Sequence, residues 1–259
     1  MQRCETSCIP MELSLEWFED DQFWLRFAPV MFDPQRWAET SGEVKAIIAM
    51  TGVAGGSTIL DSCCGVGRHS LEFARRAYRV TAVDRTRGYI EAARETAAAE
   101  ELDIEFLLQD VRDFRRPEYY NLALNLFTSF GFFSDQEEEI RYIRNILDSL
   151  KPGGSFVIDV NGKEILSRDF VREEEYEMDG YMVRGEYAIE DDFSILNNLW
   201  SIDAHGENYS YRFSHRIYSA VELKELLLRC GFESVEIKGG FDGRPYDNNA
   251  VRLISIARK

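Results

Sequence analysis

Five short apolar runs set the pattern of this chain: STILD (57–61), YRVTAVD (78–84), IEFLLQD (104–110), LALNLF (122–127) and SFVIDV (155–160). Nearly unbroken runs of this kind suit strands buried on both faces, as in parallel sheets. Between them the apolar residues fall at helical spacing. TRGYIEAARETAAAEEL (86–102) is rich in Ala and Glu, both strong helix formers. SDQEEEIRYIRNILDSL (134–150) opens with Ser134 and Glu137 at capping-box spacing and puts Ile140, Ile143, Ile146, Leu147 and Leu150 on one face, and KPGG (151–154) ends it. Ser219 and Glu222 repeat the box before Leu223, Leu226 and Leu227, with Gly231 as the stop. VEIK (235–238) and RLISIA (252–257) read as closing strands. The pattern predicts an α/β fold, with seven strands in a mostly parallel sheet and helices on both faces.

Two segments depart from that alternation. YMVRGEYAIE, FSILNNLWSID and NYSYRFSHRIYS, within 170–218, are parted by turn signals at Asp179-Gly180 and His205-Gly206 and predict antiparallel hairpins lying against the main sheet. Upstream, Trp17, Phe18, Phe23, Trp24, Phe27, Met31, Phe32 and Trp37 crowd the first forty residues. Most of these rings are expected to pack helices onto the core, with some forming a lid over a ligand at the carboxyl edge of the sheet. The expected organisation is a helical cap over 1–50, a main domain over 51–163 and 217–259, and a β insertion over 164–216 that covers the substrate side.

Charge narrows the partners. The 259 residues hold 30 Lys plus Arg and 46 Asp plus Glu, a formal charge of −16, which repels polyanions and argues against nucleic acid. Residues 164 to 207 alone carry thirteen acids and three bases, most simply a solvated face. No apolar run reaches the roughly 20 residues that span a bilayer, and the start of the chain, with Arg3, Glu5 and Pro10, lacks the apolar core of a secretory signal. A cytoplasmic protein is expected, as a monomer or homodimer. Cys4, Cys8, Cys63, Cys64 and Cys230 show no zinc-type spacing, and His69, His205 and His215 lie far apart, so reduced thiols and no metal are expected.

The chemistry gathers in ILDSCCGVGRHSLEFA (59–74). Gly65 and Gly67 follow the first strand and open a helix, where absent side chains and unpaired amides form a cradle for a ligand of negative character. On its own the stretch also fits a worn G-x-G-x-x-G of a nicotinamide enzyme. Three acids at strand ends sharpen the reading, because Asp61, Asp84 and Asp110 line one edge of a parallel sheet. That is a nucleoside site, with Asp84 accepting from ribose hydroxyls and Asp110 from an exocyclic adenine amine.

With these residues the chain resembles the class I S-adenosylmethionine-dependent methyltransferases. Their first motif, acid-x-Gly-x-Gly-x-Gly, is matched by DSCCGVG with Cys63 in place of the first glycine. Asp84 matches the ribose-binding acid, QDVRDF the adenine motif and LNLFTSFGFF the fourth motif, and LKPGG precedes the fifth strand as is typical. The resemblance covers residues 57–160 well and the C-terminus more loosely. It implies a Rossmann-like fold, S-adenosylmethionine as the cofactor, and Asp61, Cys63, Gly65, Gly67, Asp84, Arg85, Asp110, Val111 and Asn125 as cofactor-binding residues. Cys63 and Cys64 are then space-fillers at the end of a buried strand, and His69 packs on its helix.

Methyl transfer from a sulfonium is an in-line displacement, so alignment matters most and no fixed catalytic group is assigned. The fourth motif reads NLFT (125–128), without the prolines of nucleic-acid amino methylases, which favours a small-molecule acceptor. Candidates for its pocket are Phe130, His215, Arg244 and Tyr246, with Phe127, Phe132, Asp159, Asn161 and Arg216 near the same sheet edge. A non-catalytic S-adenosylmethionine binder using the insertion as an interaction surface is the alternative.

Overall fold

The computed structural model describes residues 16–204 and 206–259. Cys4, Cys8 and His205 lie outside these residues. After a single 3-10 turn, α1 (Asp21–Met31) and α2 (Pro34–Thr51) precede the sheet. Each is capped by an aspartate whose carboxylate accepts a first-turn amide, Asp20 from Gln22 and Asp33 from Arg36. The alternation then runs β1 (Thr58–Ser62), α3 (Arg68–Arg75), β2 (Arg79–Asp84), α4 (Arg87–Ala99), β3 (Ile104–Leu108), β4 (Tyr120–Asn125), α5 (Gln136–Ser149) and β5 (Leu150–Val160). There follow α6 (Lys163–Asp169), β6 (Glu173–Met178), β7 (Tyr181–Glu190), β8 (Ile195–Ala204), β9 (Glu207–Arg216), α7 (Ala220–Cys230), β10 (Ser234–Lys238) and β11 (Leu253–Arg258).

The main sheet has seven strands in the order β10-β11-β5-β4-β1-β2-β3. The first five strands pair in parallel, while β11 runs antiparallel to both β5 and β10. Chain order reverses between β1 and β4, the place where open α/β sheets leave a crevice at their strand ends. The central strands have no water-facing side: Ile59, Leu60, Ala82, Val83, Leu122, Leu124, Phe156, Val157 and Ile158 are fully buried. Their apolar runs were therefore continuous rather than alternating.

The capping box of α7 is present, with Ser219 and Glu222 bonded reciprocally and Gly231 in the left-handed conformation at the C-cap. That of α5 is not. Asp135, one residue later, takes the N-cap by accepting from the Glu137 amide at 2.9 Å, while Ser134 donates to Glu16 at 2.5 Å. α5 ends at Ser149, and KPGG falls within β5 as an irregularity, where pairing with β4 steps from Tyr120–Leu150 to Leu122–Ser155 and Gly153 has φ +75°.

The insertion is a four-stranded antiparallel meander, β6-β7-β8-β9. Its first strand, EEEYEM, gave no apolar signal because it is an edge strand with five mostly exposed positions. The sheet lies on α1 rather than directly on the main sheet: Phe23, Phe27 and Val30 form one buried cluster with Val183, Ile202 and Phe213. It rejoins the core where the Arg216 amide donates to the Gly131 carbonyl at 2.7 Å. Gly131 has φ +96°, and a Cβ there would fall 2.2 Å from the Arg216 carbonyl oxygen, so only glycine fits this junction.

Beside the junction, Glu139 of α5 is fully buried and accepts a hydrogen bond from Tyr218. Burial pushes its carboxyl up to about 7, against the opposing pull of the Tyr218 bond and the Arg216 charge. A carboxyl raised in the folded state contributes stability that is complete below its ordinary value and is lost as pH rises through 7. Glu139→Gln keeps an acceptor for Tyr218 and removes the titration. Denaturant unfolding is expected to show the variant more stable than the native chain at pH 8, on the order of 2 to 3 kcal/mol, with little difference at pH 4.5. The same difference at both pH values would contradict the assignment.

Candidate active site

Two adjoining chambers open at the carboxyl ends of β1, β2, β3 and β4. The inner one is lined by Asp61, Cys63, Gly65, Asp84, Arg85, Asp110, Val111 and Phe130, all anticipated, and is roofed by Phe18, Trp24, Phe32 and Tyr89. The outer one lies between the insertion sheet, α1 and the end of β5 and includes His215 and Asn161. Trp24, Met31, Arg36, Phe127, Ser129 and Phe132 line both and so form the partition the two chambers share.

Asp84 ends β2 as a rigid acceptor. Its Oδ2 accepts from the Gly65 amide and its Oδ1 from the Thr86 amide, each at 2.8 Å. Both oxygens keep a free lone pair. Burial raises its carboxyl above the ordinary range, with the two amide bonds pulling the other way. Asp110 differs: burial opposes its charge, but Arg112, bonded to it at 2.6 and 3.0 Å, outweighs that and holds the carboxyl low. Asp61 is buried at the end of β1, accepts from Ser70 at 2.6 Å and is raised by burial, partly offset by His69, Ser70 and Arg68.

The glycines divide their tasks. A Cβ at Gly65 would meet the Phe32 ring at 2.9 Å, so the missing side chain admits a ring of the N-terminal cap as well as exposing backbone to the chamber. Gly67 is outside the lining. It caps α3 at φ +78°, and its hydrogen-only α-carbon lets Ala93 of α4 approach, at 3.1 Å from where a Cβ would sit. Asn125 is likewise one layer deeper than anticipated: it is fully buried and donates to Tyr142 at 3.0 Å and to the Ser129 carbonyl at 3.2 Å, bracing the partition from beneath. Cys63, at φ +62°, and Cys64 have thiols pushed well above their ordinary range by burial and by neighbouring aspartates, so both stay protonated. Among the described residues no group of three or more His, Cys, Asp or Glu is placed to hold a metal.

The two candidates from the late loop fall outside both chambers. Arg244 is exposed and paired with Asp242 at 2.6 Å, and Tyr246 donates to Glu164 at 2.9 Å. Arg244 is thus held within the turn FDGRPYD and Tyr246 is held by α6, both away from the chambers. Arg216 lies in a separate surface crevice. Asp159 is buried and holds Arg252, which lines the outer chamber, at 2.7 Å. His215 is packed edge-on against Phe132, with ring centroids 5.9 Å apart, and burial lowers its pKa to about 4.

A buried polar cluster behind the partition had no sequence signal. Glu43 of α2 accepts from Arg68 Nη1 at 2.9 Å and faces His69 Nε2 at 2.9 Å. Burial opposes the charge of Glu43, and the two partners more than compensate, keeping its carboxyl low. Arg68 also donates to Thr40 and to the Arg36 carbonyl and lies 4.0 Å over the Phe127 ring. Phe127 and Thr128 both have positive φ, +56° and +60°, and are held there by Asp159, which accepts both of their amides at 2.9 Å. Arg68 and His69 therefore reach the inner chamber as parts of one network with α2.

The fold is that of the class I, S-adenosylmethionine-dependent methyltransferases, and residues 59–154 match the family described as "Methyltransferase domain". Among curated proteins, the chain is 23% identical over 208 residues to YqeM of Bacillus subtilis (strain 168), itself described only provisionally as a methyltransferase; the match covers 78% of this chain and 83% of that one. It is 27% identical over 123 residues to the dTDP-4-amino-2,3,4,6-tetradeoxy-D-glucose N,N-dimethyltransferase of Saccharopolyspora spinosa, covering 48% and 47%. The crystal structure of an S-adenosylmethionine-dependent methyltransferase from Clostridium acetobutylicum ATCC 824 superposes with a TM-score of 0.74 at 17% identity, over 92% of this chain and 98% of that one. Among the described residues no helix is long and apolar enough to cross a membrane.

Proposed function

We propose that this enzyme methylates the nitrogen of a small-molecule amine in the cytoplasm, with the donor in the inner chamber and the acceptor in the outer one. The observation that carries this reading is the shared partition: the two chambers adjoin with only Ser129, Phe127, Phe132 and their neighbours between them. An N-methylating relative adds support for an amine. S-Adenosylmethionine, when bound, supplies an electrophilic methyl on its sulfonium.

The residues fit that donor. Asp84 keeps one lone pair per oxygen for the ribose diol, Asp110 and Val111 stand at the adenine position, and Asp61 offers a carboxylate to the amino-acid end. Arg68 makes its polar bonds to Glu43, Thr40 and the Arg36 carbonyl through Nη1 alone, which leaves its other N–H groups for a carboxylate. The aromatic roof excludes water. His215 stays neutral at pH 7 and brings no positive charge; its Nδ1 accepts from Asn198 Nδ2 at 3.4 Å, which leaves Nε2–H as a donor.

In the transfer, the amine lone pair forms the N–C bond as the C–S bond breaks, the bonding electrons go to sulfur, and the amine proton leaves to solvent. Labelled S-adenosylmethionine presented with amine, carboxylate and phenol libraries is expected to label amines. Labelling confined to carboxylates or phenols, or none in any library, would overturn the proposal.

A further inference from the structure

The outer chamber also constrains which amine it takes, an argument that rests on the reading just given. Eleven of the residues lining it are Phe, Tyr or Trp, contributed by the N-terminal cap, the loop after β4, the end of α6 and the insertion sheet. At about 600 Å3 it is of a size that holds a small organic molecule.

The charges around this wall are the informative part. Three arginines line it, and a neighbouring carboxylate offsets the charge of each: Arg36 through Nε with Asp33 at 3.1 Å, Arg252 with Asp159 at 2.7 Å, and Arg184 through Nε with Glu175. A phosphate or diphosphate needs arginine forks or lysines that are free to neutralise it. Glu174, by contrast, lines the chamber with no cation within ion-pair distance among the described residues, and receives only the neutral Tyr187 hydroxyl. Asp169 adds a second carboxylate, paired outward with Arg168.

We infer that the acceptor is a phosphate-free amine with an aromatic or aliphatic body, admitted as its ammonium form past Glu174 and received by the ring-lined wall. Aromatic faces attract an ammonium, and Glu174 at the exposed rim opposes its charge. Deeper in, the same apolar walls disfavour the charged form, as burial does for any amine, so the proton is shed where the lone pair is needed. This acceptor class differs from the nucleotide-linked sugar of the S. spinosa relative, whose diphosphate would meet arginines whose charge a carboxylate already offsets.

The test is calorimetric titration of the full chain saturated with S-adenosylhomocysteine, using phenethylamine, its neutral analogue 2-phenylethanol, and thymidine diphosphate as probes. Phenethylamine is expected to bind about tenfold more tightly than the alcohol, and thymidine diphosphate not to bind. Glu174→Gln is expected to shrink the amine preference by about threefold, since its share is that of an exposed charge pair. Thymidine diphosphate binding as tightly as the amine, an alcohol equal to the amine, or an amine that does not bind would each overturn the inference. Saturation with S-adenosylhomocysteine in the same cell keeps the outcomes separate: if that ligand fails to bind, it is the methyltransferase reading that falls.

Discussion

Asp84→Ala is expected to weaken S-adenosylhomocysteine binding by roughly 10- to 100-fold, the loss of one to two hydrogen bonds to a charged acceptor. The effect is large because this carboxylate has two duties. Toward the chamber its free lone pairs serve the ribose; toward the protein it fixes the Gly65 and Thr86 amides at 2.8 Å. Alanine therefore removes the ligand's acceptor and also loosens the turn that shapes the chamber floor. Asp84→Asn separates the two duties only in part, because its amide nitrogen must face one of those backbone donors. Calorimetry with both variants, alongside circular dichroism to establish folding, checks this. Unchanged affinity in a folded Asp84→Ala protein would place the ribose elsewhere.

Glu43→Ala is expected to destabilise the protein by about 3 to 5 kcal/mol, since it strands the charge of Arg68 and the imidazole of His69 in the interior. Arg68 is only 4% exposed and His69 6%, so water cannot replace the lost partner without a rearrangement of α2 against α3. For a chain of this size the melting temperature should fall on the order of 10 °C. Glu43→Gln keeps an acceptor for Arg68 and should recover part of the loss. Because Arg68 and His69 also line the inner chamber, whichever variant folds should bind S-adenosylhomocysteine less tightly. A melting temperature within about 2 °C of the native value would mean that the cluster is solvated rather than buried.

What the sequence disclosed followed from how each feature is encoded. Strands buried on both faces announce themselves as apolar runs, and the motif acids sit at their ends, so Asp61, Asp84 and Asp110 were legible together. Gly67 and Asn125 belong to the same motifs, yet one is spent on the α3–α4 approach and the other on bracing Tyr142 and Ser129. A motif marks a position on the chain, and only packing decides whether that position faces a ligand. Glu43 could not be found because its partners are 25 and 26 residues away and nothing in helix α2 marks it.

The aromatic N-terminus held both expected roles. Phe23 and Phe27 pack under the insertion sheet, whereas Phe18, Trp24 and Phe32 roof the inner chamber. Arg244 and Tyr246 misled because a turn rich in hydrogen-bonding groups reads like a ligand loop until their pairs with Asp242 and with Glu164 of α6 are seen. The edge strand β6 was missed for the opposite reason, since glutamates on an exposed edge carry no apolar period while protecting it from unwanted pairing.

The central claim is that the inner chamber is built for an adenosyl donor, and ligand-linked stability tests it most directly. S-Adenosylhomocysteine at about 100 times its dissociation constant should raise the unfolding free energy by about 2.7 kcal/mol, and NADH at the same concentration should leave it unchanged. Stabilisation by NADH with none from S-adenosylhomocysteine would contradict the account.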